Sequence, residues 1–133
     1  MTRRTTFLAA RLLAVVPAAA SELPAGAFGD GVALKAAVDA WVAAPATAMA
    51  THGSISGWDT SRVDDMIRLF SGKDTFNEAI GSWDTSRVTT MRSTFYRAQD
   101  FNAQLDWDTR KVTTMYHTFR SATAFNRALD WDT

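Results

Sequence analysis

The stretch Ser82–Met91, SWDTSRVTTM, stands between two near-copies of itself, GWDTSRVDDM at Gly57–Met66 and DWDTRKVTTM at Asp106–Met115. Such an internal repeat decides the fold ahead of local propensity, because a unit too small to bury its own apolar face must take cover from its neighbours. Aligned on the tryptophan, three complete units start at Trp58, Trp83 and Trp107, and a fourth begins at Trp131. Each unit carries Val, Met and Phe at the i, i+3, i+7 spacing of a helix face: Val63, Met66, Phe70; Val88, Met91, Phe95; Val112, Met115, Phe119. A Phe-Asn pair follows at Phe76-Asn77, Phe101-Asn102 and Phe125-Asn126, and then an aliphatic residue at Ile80, Leu105 or Leu129. The period next changes to two, since LDWDT puts Leu105, Trp107 and Thr109 on one side and Asp106 and Asp108 on the other, the signature of a strand. The first unit has one residue more than the second between aliphatic and Trp, including Gly81, which predicts a bulge at the strand entrance. Strand, helix and strand in succession predict an α/β fold, a right-handed solenoid of short parallel strands and short helices.

Upstream, DGVALKAAVDAWVAAP predicts an N-terminal capping helix, with Asp30 as its cap, Leu34, Val38, Trp41 and Val42 on one face, and Pro45 halting its growth. SELPAGAFGDG (Ser21–Gly31), rich in Pro and Gly, reads as a linker. Before it, Arg3 and Arg4 precede the mostly apolar FLAARLLAVVPAAA, which ends in small residues as a cleaved secretory signal does; Arg11 fits a transit peptide or a plain helix equally well, and these readings stay open. The organisation expected is therefore a targeting segment and linker over residues 1–29, a capping region over 30–53 and a repeat solenoid over 54–133. With a strand only begun at Trp131, the last core surface is expected to be covered by more chain or by another molecule.

Composition narrows the function. Fourteen Lys plus Arg balance fourteen Asp plus Glu, so no molecule-wide positive field draws the chain to nucleic acid or anionic lipid. No cysteine is present, which removes disulfides and thiolate metal sites, and past the leader no apolar run approaches membrane-spanning length. His52 and His117 lack ligand spacing, the nucleophile-elbow, zincin and dinucleotide signatures are missing, and the 24- and 25-residue units are too short for a WD propeller blade. The expectation is a non-enzyme without cofactor or metal.

The repeated polar positions read mainly as scaffolding. Ser61 with Asp64 has capping-box spacing, Ser86 with Thr89 is a weaker version, and Arg110 removes the serine from the third unit. Asn77, Asn102 and Asn126 are expected to form a ladder on buried backbone, and Trp58, Trp83, Trp107, Trp131 and the Met row to fill the core. Asp59, Asp84, Asp108 and Asp132 form an outward acidic row, joined by Asp106 and Asp130, opposite the basic row Arg62, Arg87 and Lys111. This charged side supplies the candidate interaction face: Asp59, Arg62, Asp84, Arg87, Asp106, Asp108, Arg110 and Lys111.

FNEAIGSWDTSRVTTMRSTF (Phe76–Phe95) and FNAQLDWDTRKVTTMYHTF (Phe101–Phe119) resemble the repeat of BspA-like leucine-rich-repeat surface proteins, the type also found in mycoplasma lipoproteins. Two departures from that pattern are Leu69, Thr94 and Thr118 where a Met is usual, and Arg110 in place of Ser; the polar Thr94 and Thr118 predict an incompletely buried helix end. The resemblance implies an extracellular or cell-surface protein-interaction and adhesion module with no catalytic residues to carry over. Two alternatives stay beside it: a carbohydrate binder using Trp and Asp across units, less readily a hydrolase, and a structural piece that associates end to end.

Overall fold

Asp30 is extended, and its carboxylate accepts the amide of Ala33 (2.8 Å), starting helix α1 over Gly31–Ala43. Leu34, Ala37, Val38 and Trp41 form its buried stripe, whereas Val42, expected on that face, is 39% exposed. The heptad neighbour Ala37 takes the inward place because i+3 and i+4 partners of Leu34 lie over one another and Val42 lies past the edge of the stripe. Pro45 ends α1 but also opens a second helix, α2 over Pro45–His52, where its missing N–H is no loss. The structure, a computed structural model, describes residues 22–132; the leader reading for residues 1–20 lies outside them. No helix among the described residues is long and apolar enough to cross a membrane.

The segment read as a linker is part of the packed body. The Asp59 amide donates to Gly26 O (2.7 Å), the Phe28 amide donates to Asp59 O (3.2 Å), and Phe28 is buried against Trp58, their ring centroids 5.0 Å apart. Pro and Gly serve a close turn here: Gly26 has φ of 79°, and a Cβ on it would strike the carbonyl of His52.

Beyond residue 57 the described chain contains few regular elements and a large buried aromatic cluster. The expected helices at Val63–Phe70, Val88–Phe95 and Val112–Phe119 are not formed, and neither are the strands at LDWDT and its equivalents. In place of the helices the chain runs as linked turns with alternating hydrogen bonds. The amides of Leu69, Ser71 and Lys73 donate to carbonyls three residues back. Those of Met66, Arg68, Phe70 and Gly72 donate instead to Thr90, Arg92, Thr94 and Tyr96 of the next unit, at 3.1, 3.0, 2.8 and 2.8 Å. The second unit repeats this with Met91, Ser93, Phe95 and Arg97 donating to Thr114, Tyr116, Thr118 and Arg120. Isolated parallel bridges Asp65–Thr90 and Thr90–Thr114 mark the same ladder. Left-handed φ values at Arg68 (55°), Ser93 (56°), Arg97 (60°), His117 (60°), Ser121 (63°) and Gly72 (73°) break the helix and turn alternate amides outward. The Val, Met and Phe stripes of the first two units are buried as a helix would bury them, so the period alone did not separate the two backbones.

Where strands were expected, the inward and outward alternation holds: Leu105, Trp107 and Thr109 are buried, Asp106 is exposed and Asp108 half-buried. Side chains replace most of a strand's ladder. Thr60, Thr85 and Thr109 hydroxyls donate to Asp84, Asp108 and Asp132 carbonyls (3.0, 3.1 and 3.0 Å), and the Trp83 and Trp107 indoles donate to Ile55 O and Ile80 O (2.8 and 2.9 Å). The extra residue of the first unit sits in a turn, closed from the Trp83 amide to Ile80 O (3.2 Å), rather than in a bulge; a Cβ on Gly81 would strike the Gln104 carbonyl.

Like residues stack through the core. Trp58, Trp83, Trp107 and Trp131 lie at ring-centroid steps of 6.2, 6.4 and 6.3 Å, Phe70, Phe95 and Phe119 at 5.1 and 5.3 Å, and Phe76, Phe101 and Phe125 at 6.1 and 5.9 Å. Thr94 and Thr118, expected to loosen the end of a helix, are buried, each hydroxyl within 2.9 Å of two carbonyls. The Asn ladder exists, Asn77 Oδ1 accepting the Asn102 amide and Asn102 Oδ1 that of Asn126 (2.8 Å each), but on exposed backbone rather than buried.

Candidate interaction surface

The charged face derived from the repeats is largely occupied with its own turns. Asp59 accepts the Ser61 amide (3.0 Å) and hydroxyl (2.6 Å) and lies 3.4 Å from Arg62. Those serine bonds, with Arg62 helping and slight burial opposing, hold the Asp59 carboxyl below its usual range. Asp84 repeats the arrangement with Ser86 (3.0 and 2.6 Å). No helix follows, so Ser61 and Ser86 are not capping-box residues; they close a turn over the Asp two positions earlier. In the third unit the Arg110 guanidinium does the serine's work, Nε donating to Asp108 at 2.9 Å, while the Thr109 hydroxyl donates to the Asp132 carbonyl. That side-chain bond, followed by the Arg110 amide, pulls the Asp108 carboxyl down to about 2.

Neutralisation by the basic row is thus local. Arg62 pairs with Asp59 and Arg110 with Asp108, whereas Arg87 and Lys111 make no ion pair among the described residues. Arg87, Lys111, Asp106 and Asp84 are exposed, and Asp108, Arg110 and Lys111 line a shallow cleft of about 310 Å³ with Ser86. Trp58, Trp83 and Trp107 are buried, so they present no ring face to a sugar.

A second surface is built by the linked turns. Arg68, Ser71, Arg92, Ser93, Tyr96, Tyr116, His117 and Arg120 line an open cleft of about 530 Å³ spanning all three units. No carboxylate lines it, and among the described residues Arg68, Arg92, Arg97 and Arg120 form no ion pair. The Arg92 guanidinium lies over Tyr116 (5.9 Å to the centroid), Arg97 lies over Tyr96 (5.2 Å), Tyr116 stacks on His117 (3.7 Å), and Arg120 Nη1 donates to His117 Nε2 (3.0 Å). The repeat alignment missed these residues because they break it: Ile67, Arg92, Tyr116 and Arg68, Ser93, His117 and Ser71, Tyr96, Arg120 occupy equivalent positions. Variation at fixed positions between constant core residues is the signal that would have found them. No group of three His, Asp or Glu side chains that could hold a metal ion occurs among the described residues.

A family model described as "Mycoplasma protein of unknown function, DUF285" matches residues 30–133. No curated protein and no solved structure matches the chain.

Proposed function

The chain belongs to that family of unknown function, and on that premise we propose that it is a non-catalytic, surface-exposed or secreted interaction module built from BspA-like repeats stacked as a solenoid. The stacking is supported by the same-position rings and by amides that reach the next unit every second residue. The observation carrying the functional reading is the row of unpaired arginines across three units on an open cleft, a large charged surface that the fold itself does not use. A cleft without buried titratable groups or an enclosed pocket suits recognition better than chemistry.

The test joins location to adhesion. A membrane-impermeant amine reagent should label the chain on intact cells, and purified chain should bind those cells' targets less well when Arg68, Arg92 and Arg120 are changed together to Gln. Label reaching the chain only after lysis removes the surface reading. A second charged patch enters the comparison through the Asp84, Asp106, Asp108→Ala triple variant; adhesion indifferent to both triples would refute an interaction role for either face.

A second reading, end-to-end self-association, is favoured by one observation: Met115, Thr118, Phe119, Leu129 and Trp131 line an open, mostly apolar cleft of about 340 Å³, with the Trp131 indole N–H buried and without an acceptor among the described residues. Light scattering across a concentration series tests it, and a monomer throughout removes it.

A further inference from the structure

Resting on the interaction-module reading and deepening it, we propose that the arginine-tyrosine cleft binds a sulfated polysaccharide, with Arg68, Arg92 and Arg120 taking the sulfate groups. Three independent features of the cleft lead there.

The first is charge left without a partner. Several basic residues elsewhere meet acids, as Arg62 meets Asp59, Arg110 meets Asp108, and Lys35 and Lys73 meet Asp39, while Arg87 and Lys111 form no ion pair among the described residues. The cleft gathers three guanidiniums from three successive units and no carboxylate. A guanidinium offers a fork of N–H donors that matches two oxygens of a tetrahedral oxyanion, which an ammonium does not.

The second is backbone conformation. Left-handed φ is the natural place for glycine, and the first unit uses Gly72 there. At the equivalent position the second unit carries Arg97 and the third Ser121, and at the other left-handed position stand Arg68, Ser93 and His117. A side chain at such a site carries a steric penalty that glycine avoids, and Arg68, Ser93 and His117 all line the cleft.

The third concerns what the rings are doing. Single-stranded nucleic acid is held by bases stacking on open aromatic faces. Here Tyr96 already carries Arg97, and Tyr116 carries both Arg92 and His117. The rings therefore hold cations rather than stand free as stacking platforms. A peptide would want an apolar pocket for an anchor residue, and no aliphatic side chain lines this cleft. Arg68, Arg92 and Arg120 come from three successive units, so one extended polyanion lying along the cleft can meet all three.

The experiment is calorimetric titration of the full chain, at near-physiological salt, with sulfated dextran oligosaccharide, unsulfated dextran of the same length, a single-stranded DNA oligonucleotide and inorganic sulfate. Saturable binding of the sulfated chain alone is expected, with inorganic sulfate far weaker. Arg92→Gln with Arg120→Gln should lower affinity roughly tenfold or more, since each removes a charge-assisted contact. The charge-matched pair Lys35→Gln with Arg127→Gln, away from the cleft, should change it by less than about twofold. Thermal melting checks that the variants fold, and Arg68→Gln alone, also at an exposed position, provides an independent second variant. No saturation with the sulfated chain, equal affinity for DNA or for unsulfated dextran, or equal loss in the control pair would overturn the assignment. If the sulfated chain fails while adhesion to cells persists, the ligand class is wrong and the interaction-module reading stands; if adhesion is absent as well, both fall.

Discussion

At Asp108 a guanidinium has taken over from a serine hydroxyl, and the exchange has a measurable consequence. With its carboxyl held near 2 by Arg110, Asp108 stabilises the folded chain at pH values above its ordinary 3.8, and that contribution disappears as pH falls from 3.8 through about 2. In Arg110→Ala the carboxyl midpoint should rise from about 2 towards 3.8, read from its carbon-13 shift; an unmoved midpoint would mean the backbone amide alone accounts for the depression. Buried threonines allow a second comparison. The Thr94 hydroxyl is shared between Met66 O and Met91 O, each of which also accepts a turn amide, from Leu69 and Thr94. Thr94→Val should therefore cost only about 1 kcal/mol. Among the described residues the Thr85 hydroxyl is the one donor to Asp108 O, so Thr85→Val leaves that carbonyl unpaired and should cost about 1–3 kcal/mol. Denaturant melts giving the opposite order would refute this hydrogen-bond account.

The element that the sequence concealed is the run of linked turns. Val63, Met66 and Phe70 have helical spacing and are buried, as are Trp58, Trp83 and Trp107, so these core positions were legible. What periodicity could not carry is the sign of φ, because Arg68, Ser93, Arg97 and Ser121 are unusual residues for left-handed backbone, and only Gly72 and, more weakly, His117 hint at it. The β-branched pairs Thr89-Thr90 and Thr113-Thr114, poor helix formers, were the available warning. For the same reason the basic cleft was not legible: it is assembled by turns that bring alternate positions of three units side by side. If left-handed geometry is imposed by the stack, Gly72→Ala should destabilise by about 1 kcal/mol although nothing stands near an added Cβ, and Ser121→Gly should be neutral or stabilise by up to about 1 kcal/mol. A Ser121→Gly variant clearly less stable than the parent would show that this backbone is chosen by the serine rather than by the ladder.

On the scale of the whole molecule, cohesion passes from unit to unit, and its strength should be graded along the stack. The amides of Met66, Arg68, Phe70 and Gly72, and of Met91, Ser93, Phe95 and Arg97, each donate to the following unit. Their counterparts at Met115, His117, Phe119 and Ser121 have no backbone acceptor among the described residues. Val112, Met115, Phe119, Phe125 and Trp131 are correspondingly only partly buried, where Val88, Met91, Phe95, Phe101 and Trp107 are fully so. Segments with fewer buried apolar contacts and fewer paired amides open before better-packed ones. Hydrogen exchange at low protein concentration should show the first two sets of amides protected and the third exchanging early, in that order. Raising the concentration separates the readings of the apolar cleft at Phe119 and Trp131. Protection that appears selectively at Met115, His117, Phe119 and Ser121 would mean a second copy is docking its own turns there, whereas an exchange profile independent of concentration leaves that surface to water and removes self-association from the functions open to this chain.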